Sequence, residues 1–131
     1  MVLFFDVTNR LQATFKAYRL YKRDFARDQE GKVGISLNIN WFEPLDVSDP
    51  SHVQAAETKL QFFGGWFGHP IFVNGDYPEV MREKIKPSSR LPTWNEEEKA
   101  EIFRSSDFLG KQNTYVYCEK ATKFEKKYQE I

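Results

Sequence analysis

Three features of the sequence predict an α/β fold in which parallel strands are joined by helical crossovers. Apolar residues recur at spacings of three and four over residues 9–27, the pattern of an amphipathic helix. The period changes to two over residues 32–40, where Val33, Ile35, Leu37 and Ile39 alternate with Gly34, Ser36, Asn38 and Asn40, as in a strand with one apolar face. Helical patterns then return before strand-like material reappears near Phe108. Strands separated by helices favour a parallel sheet.

The first helix places Leu11, Phe15, Tyr18, Tyr21 or Lys22, and Phe25 on one face, and Gly31 is its expected stop. Trp41-Phe42-Glu43-Pro44-Leu45 carries the strand into an aromatic, charged loop. Ser48-Asp49-Pro50 starts a second helix, with a cap residue available and proline tolerated near its start. Its expected buried stripe is Val53, Ala56, Leu60, Phe63 and Phe67, and its expected end is His69-Pro70. Asn74-Gly75-Asp76-Tyr77-Pro78 is a turn signal, followed by a short helix to about Ile85. Residues 86–92 read as a connecting loop. Thr93 with Glu96 three positions on predicts a capping box for a helix through about Arg104. Phe108-Leu109 and Tyr115-Val116-Tyr117 read as strand, interrupted by Gly110-Lys111-Gln112. The segment from Glu119 to Ile131 is mostly charged, with Phe124 and Tyr128 able to form a weak helical face. Two strands neither close a barrel nor make a stable open sheet, so the pattern describes part of a larger fold.

Composition narrows the function. The 131 residues carry 19 Lys+Arg against 19 Asp+Glu; that length suits one domain at most, and the balance gives no basic footprint for nucleic acid. A single cysteine, Cys118, excludes an internal disulfide framework or a Cys-rich zinc site. No apolar run reaches the ~18–20 residues of a membrane span. Met1-Val2-Leu3-Phe4-Phe5 stops at Asp6, short of a signal-peptide apolar core of ~7–15 residues. No phosphate-cradling glycine loop, zinc-binding histidine spacing or nucleophile elbow is present.

The remaining chemistry-bearing positions have plain readings. His52 and His69 lack the further ligands a metal site recruits; a surface His52 and a structural His69 are expected. Cys118 has no sequence-local base and reads as a packed thiol. Glu96-Glu97-Glu98 suits a helix N-terminus, which favours negative charge. The cluster Asn38, Asn40, Trp41 and Glu43 at the strand's C-terminal end has two readings. Amides beside an aromatic ring suit sugars, bonding hydroxyls while the ring stacks on the apolar sugar face. The alternative is a structural corner, with Trp41 packed and the asparagines satisfying backbone groups.

Several ordered motifs carry a family resemblance. They are Ala17-Tyr18-Arg19-Leu20-Tyr21-Lys22, the run from Gly31 through Pro44, Ala55-Ala56-Glu57, Gly65-Trp66-Phe67-Gly68-His69-Pro70-Ile71-Phe72 and Gly75-Asp76-Tyr77-Pro78. Arg90-Leu91-Pro92 and Ser106-Asp107-Phe108-Leu109-Gly110 continue the order. Over roughly residues 9–110 the chain resembles glycoside hydrolase family 1, the β-glucosidase family, including its myrosinase-like and lactase-like members.

The resemblance implies a partial (β/α)₈ TIM barrel, about strands 5 to 6 with flanking helices and not closed. Residues 1–8 form an atypical N-terminal segment, residues 9–118 the partial barrel and residues 119–131 a charged tail. Family members hydrolyse β-glycosides with retention, through an acid/base glutamate in Asn-Glu-Pro and a nucleophile in Glu-Asn-Gly. A retaining site needs both carboxyl groups ~5–5.5 Å apart. Neither motif occurs in these residues; Glu43-Pro44 follows Phe42 and matches the loop after strand five. The expectation is a central piece of a β-glucosidase that is itself inactive, with no catalytic residue, no cofactor and no metal. The alternative is a remnant with weak sugar binding or a protein-interaction role, its exposed barrel edges open to self-association. Asn40 and Trp41 match positions lining the family's aglycone-side cleft. With one inserted residue allowed, Asn113 and Tyr115 match the family's substrate-side asparagine and tyrosine, the tyrosine a partner of the nucleophile. Gly75-Asp76-Tyr77-Pro78 matches an architectural motif.

Overall fold

A computed structural model describes residues 2–85 and 91–112. Helix α1 runs from Val2 to Asp24, starting well before the expected residue 9. No glycine or proline stands in the first 30 positions to interrupt it. Leu11 and Phe15 are buried on its inner face, whereas Phe25 is exposed. Phe25 lies outside the helix, which breaks there before the single turn α2, Ala26–Gln29. The chain leaves α2 through Glu30, held at φ 51, one residue before the glycine expected to stop the helix.

Strand β1, Ile35–Asn38, shows the expected alternation, with Ile35 and Leu37 half-buried and Ser36 and Asn38 exposed. It pairs in parallel with β2, Leu109–Gln112, in the register Ile35 to Leu109 through Asn38 to Gln112. Gly110-Lys111-Gln112 therefore form the strand rather than interrupt it. Gly110 lies beside Ser36, where a larger residue would press on the serine side chain. Tyr115-Val116-Tyr117 and residues 119–131 lie outside the described residues. The described sheet has two strands and is open.

Between the strands runs one long helical stretch in four pieces. Helix α3, Pro50–Leu60, is capped by Asp49, whose carboxylate accepts the Ser51 N–H. A π-helical turn, Gln61–Gly65, follows, then α4, Trp66–His69, and a second π turn, Pro70–Asn74. The helix thus continues past Pro70 instead of ending there. Pro70 has no N–H to donate back into α4, and the π turn that starts there closes with the Gly75 N–H on the Pro70 carbonyl at 3.0 Å, five residues on. Ala56, Lys59, Phe62, Trp66 and Ile71 are buried, while Val53 and Phe63 of the expected stripe stay exposed. The first π turn shifts the stripe from Phe63 to Phe62 and Trp66; Val53, near the start of α3, is exposed ahead of it.

Helix α5 spans Glu79–Lys84 and α6 spans Glu96–Ile102. The capping box of α6 is Asn95 with Glu98, not Thr93 with Glu96: Asn95 accepts the Glu98 N–H at 2.8 Å and Glu98 accepts the Asn95 N–H at 3.0 Å. Packing decides between the two candidates, because buried Trp94, 5.8 Å from the Tyr77 ring, sets where the chain enters the helix. The helix ends before Arg104, which sits at φ 58 and gives its N–H to the Ile71 carbonyl at 2.7 Å.

The core lies among the helices. Leu11 and Phe15 of α1 meet Phe62, Trp66 and Ile71 from the central stretch, together with Tyr77, Met81, Ile85, Leu91, Trp94 and Ile102. Ile35 of β1 and Phe67 pack against this cluster. A helical layer backing a parallel strand pair is the arrangement that places the strand ends, and whatever they carry, at one edge of the molecule.

Candidate functional site at the strand ends

The parallel register sets Asn38 level with Gln112, so both strands deliver their C-terminal ends to the same edge. Beyond Asn38 the burial of successive residues varies. Ile39 and Asn40 are half-buried, Trp41 keeps 49% of its surface exposed, and Phe42 is buried. Glu43 is exposed. Of the residues singled out from the sequence, Asn38, Asn40, Trp41 and Glu43 therefore fall on one short segment at this edge. Asn113 and Tyr115 lie outside the described residues, as does Cys118.

Residues that the sequence reading did not select hold this segment from the helical side. Gly64, in the first π turn, lies so close to Ile39 that an added Cβ would approach its Cγ2 to 3.0 Å. The Phe42 ring lies 5.0 Å from that of Phe63 and 4.6 Å from Lys59 Nζ. Lys59 is only 4% exposed. Its spacing of three from Ala56 and four from Phe63 was the available signal, but a lysine within a helix reads as solvated until packing shows otherwise.

The Gly75–Pro78 turn is built around Asp76. Its carboxylate bonds the Arg82 guanidinium, accepts the Tyr77 N–H at 2.7 Å and lies 3.4 Å from Lys99 Nζ. Burial pushes this carboxyl up, but the Arg82 bond, the Tyr77 N–H and the two cations together hold it below the usual range. The Asp76 carbonyl lies 2.8 Å from His69 Nδ1, which gives that histidine a structural partner. Tyr77 is buried, and its hydroxyl meets Thr8 Oγ1 of α1 at 3.1 Å. The turn ties α1, α5 and α6 to the central helical stretch.

Other features resolve as structure. His52 Nδ1 lies 3.8 Å from the Asp49 carboxylate in the first turn of α3. A shallow groove of about 710 Å³ between α1 and α6 is lined by Lys16, Arg19, Lys22, Arg23 and Glu101. Its cations are largely engaged: Arg19 donates to the Ala100 and Glu101 carbonyls at 3.1 and 3.2 Å. Lys22 pairs with Asp107 and Arg23 with Asp24. Among the described residues no three of His, Cys, Asp and Glu gather into a group able to hold a metal ion. No helix among them is long and apolar enough to cross a membrane.

A parallel strand pair backed by helices, with an amide and an indole at the strands' C-terminal edge, is a piece of a barrel-type α/β fold. The comparisons with known proteins define it further. The glycosyl hydrolase family 1 profile matches residues 3–130, and the chain belongs to this family. It is 42% identical over 110 residues to rat (Rattus norvegicus) lactase/phlorizin hydrolase, covering 78% of this chain and 6% of that protein. It is 42% identical over 108 residues to Brassica napus myrosinase, covering 82% and 19% respectively. Among solved structures, a rice β-glucosidase superposes with a TM-score of 0.82 at 30% identity, covering 88% of this chain and 23% of the rice protein. Aphid myrosinase superposes with a TM-score of 0.76 at 30% identity, covering 84% and 26%. The chain thus spans about a quarter or less of the length of each of these proteins, and its open sheet is a part of their TIM barrel.

Proposed function

We propose that these residues form the aglycone-side segment, strands five and six with their flanking helices, of a retaining hydrolase acting on the O-glycosyl bond of a β-glycoside. In this reading residues 9–118 are the barrel segment, with residues 1–8 and the charged stretch 119–131 outside it. The observation that carries the reading is the half-exposed Trp41 beside Asn40 at the strands' C-terminal edge. Barrel enzymes assemble their sites on that edge. The indole offers a stacking face for a sugar or aromatic aglycone, and the Asn40 amide can both donate to and accept from a hydroxyl. Asn113 and Tyr115 are proposed to join them from the second strand.

The 131 residues contain neither Asn-Glu-Pro nor Glu-Asn-Gly. Without a carboxylic acid to protonate the leaving oxygen and a carboxylate to attack carbon, retaining cleavage has no route. The purified chain is therefore expected to show no turnover of p-nitrophenyl β-D-glucoside; turnover proportional to its concentration would overturn this. Binding is expected to be weak, because half a cleft buries one side of a ligand. Titration with phenyl β-D-thioglucoside should change tryptophan fluorescence, and Trp41→Ala should abolish the change. A response that survives the substitution would reject the site.

A second reading has its own support in Leu45, Val47, Phe108 and Leu109, all exposed. An apolar surface around an open strand pair favours association with a further chain or with a second copy. Sedimentation at rising concentration separates this reading from sugar binding by a monomer.

A further inference from the structure

The segment that carries Asn40 and Trp41 is anchored on both sides by one helical element. Ile39, before the pair, rests on Gly64. Phe42, after the pair, is enclosed by Phe63 and by Lys59 Nζ at 4.6 Å from its ring. All three supports come from residues 59–64, where α3 gives way to its first π turn. The π turn takes one more residue than an α-helical turn, which allows Phe63 and Gly64 to meet positions on either side of Trp41.

We propose that Lys59 is a positioning residue for the sugar-facing edge: it fixes the Phe42 ring and, through the adjoining backbone, the direction of Trp41. This rests on the reading of Trp41 as the ligand platform. Filling the same space with leucine or methionine would avoid dehydrating an ammonium group. An apolar side chain, however, packs on a ring without directional preference. A cation is drawn to the ring face by the quadrupole of the π system, which restricts the tilt of the ring as well as its location. The ring of Phe42 is thereby oriented, and its chain neighbour Trp41, exposed where Phe42 is buried, inherits a defined direction. The lysine stem meanwhile remains part of the buried stripe between Ala56 and Phe62.

The experiment uses the 131-residue chain labelled with ¹⁵N at its three tryptophans. Trp41→Phe identifies the Trp41 indole N–H signal. Lys59→Met keeps the stem and removes the charge; Lys59→Arg keeps a cation. The expected result is that Lys59→Met shifts or broadens the Trp41 signal while Trp66 and Trp94 stay in place, and Lys59→Arg restores the original position. An unmoved Trp41 signal in Lys59→Met overturns the proposal. So does a common shift of all three signals, which would mark Lys59 as a general contributor to packing. Should Lys59→Met fail to fold, Phe42→Leu removes the ring face while keeping apolar bulk. It must then move the Trp41 signal alone, and an unmoved signal overturns the proposal equally. These spectra need no ligand. A wild-type chain that ignores phenyl β-D-thioglucoside would defeat the sugar-site reading without altering them, so the two failures are distinguishable.

Discussion

Val33 and Asp107, 74 positions apart, are joined twice: the Val33 N–H donates to the Asp107 carboxylate at 2.9 Å, and the Asp107 N–H donates to the Val33 carbonyl at 2.8 Å. The same carboxylate accepts the Tyr18 hydroxyl at 2.9 Å and pairs with Lys22 Nζ at 2.9 Å. Two residues further on, the Ile35 N–H is shared between the Phe108 carbonyl and Ser106 Oγ. The starts of both strands are thus clipped together beneath α1, and the clip fixes the register that brings Asn38 level with Gln112.

Acid should open this clip. The Lys22 bond, then the Val33 N–H and the Tyr18 hydroxyl, outweigh desolvation and lower the Asp107 carboxyl to about 2. A folded-state value below the unfolded ~3.9 means that its contribution to stability is complete above the unfolded value. That contribution is lost as pH falls from there through about 2. Asp107→Asn should lower the melting temperature at pH 7, and the deficit relative to the wild type should shrink steadily between about pH 4 and pH 2. Thermal unfolding followed by circular dichroism across that range is the check. A deficit that stays constant with pH would assign the loss to geometry instead of charge.

The period-two run 33–39 identified β1, because its apolar face rests on the helical layer and its polar face does not. Trp41 and Asn40 could be selected because residue type and location at a strand end are both local properties. The long helical stretch was legible in its start and its composition. Its passage through Pro70 was not, since helical patterns assume a constant 3.6-residue turn and π turns break that assumption. The first π turn likewise carries Phe63 off the buried face, whereas Lys59 was missed because a helical lysine reads as solvated. At β2 the local signal pointed the wrong way: Gly110-Lys111-Gln112 lack strand character alone and acquire it by pairing with Ser36, Leu37 and Asn38.

Two glycines should respond to alanine with opposite signs. Gly75 sits at φ 81, and a Cβ there would collide with the backbone carbonyl of Lys99. Gly75→Ala should cost about 2–4 kcal/mol, combining left-handed strain with displacement of α6. Gly68, within α4, has open space where its Cβ would go. Gly68→Ala should stabilise by about 0.5–1 kcal/mol through helix propensity and a less flexible unfolded chain. Urea denaturation of both variants measures the contrast, and equal signs would contradict these backbone assignments.

The N-terminus of α6 offers the corresponding test for a side chain. Thr93 and Asn95 each precede a glutamate by three positions, so sequence pattern alone does not choose between them. Only Asn95 makes the reciprocal bonds, with an extended backbone at ψ 170 and Glu98 as its partner. Asn95→Ala should therefore cost about 1 kcal/mol. Thr93→Ala, at an exposed position, should stay within about 0.5 kcal/mol of the wild type. Because Trp94 sets the entry into the helix, the Asn95 substitution should also loosen its ring against Tyr77. Near-ultraviolet circular dichroism should show a reduced aromatic signal in Asn95→Ala and an unchanged one in Thr93→Ala. The reverse ranking in stability would return the cap to Thr93.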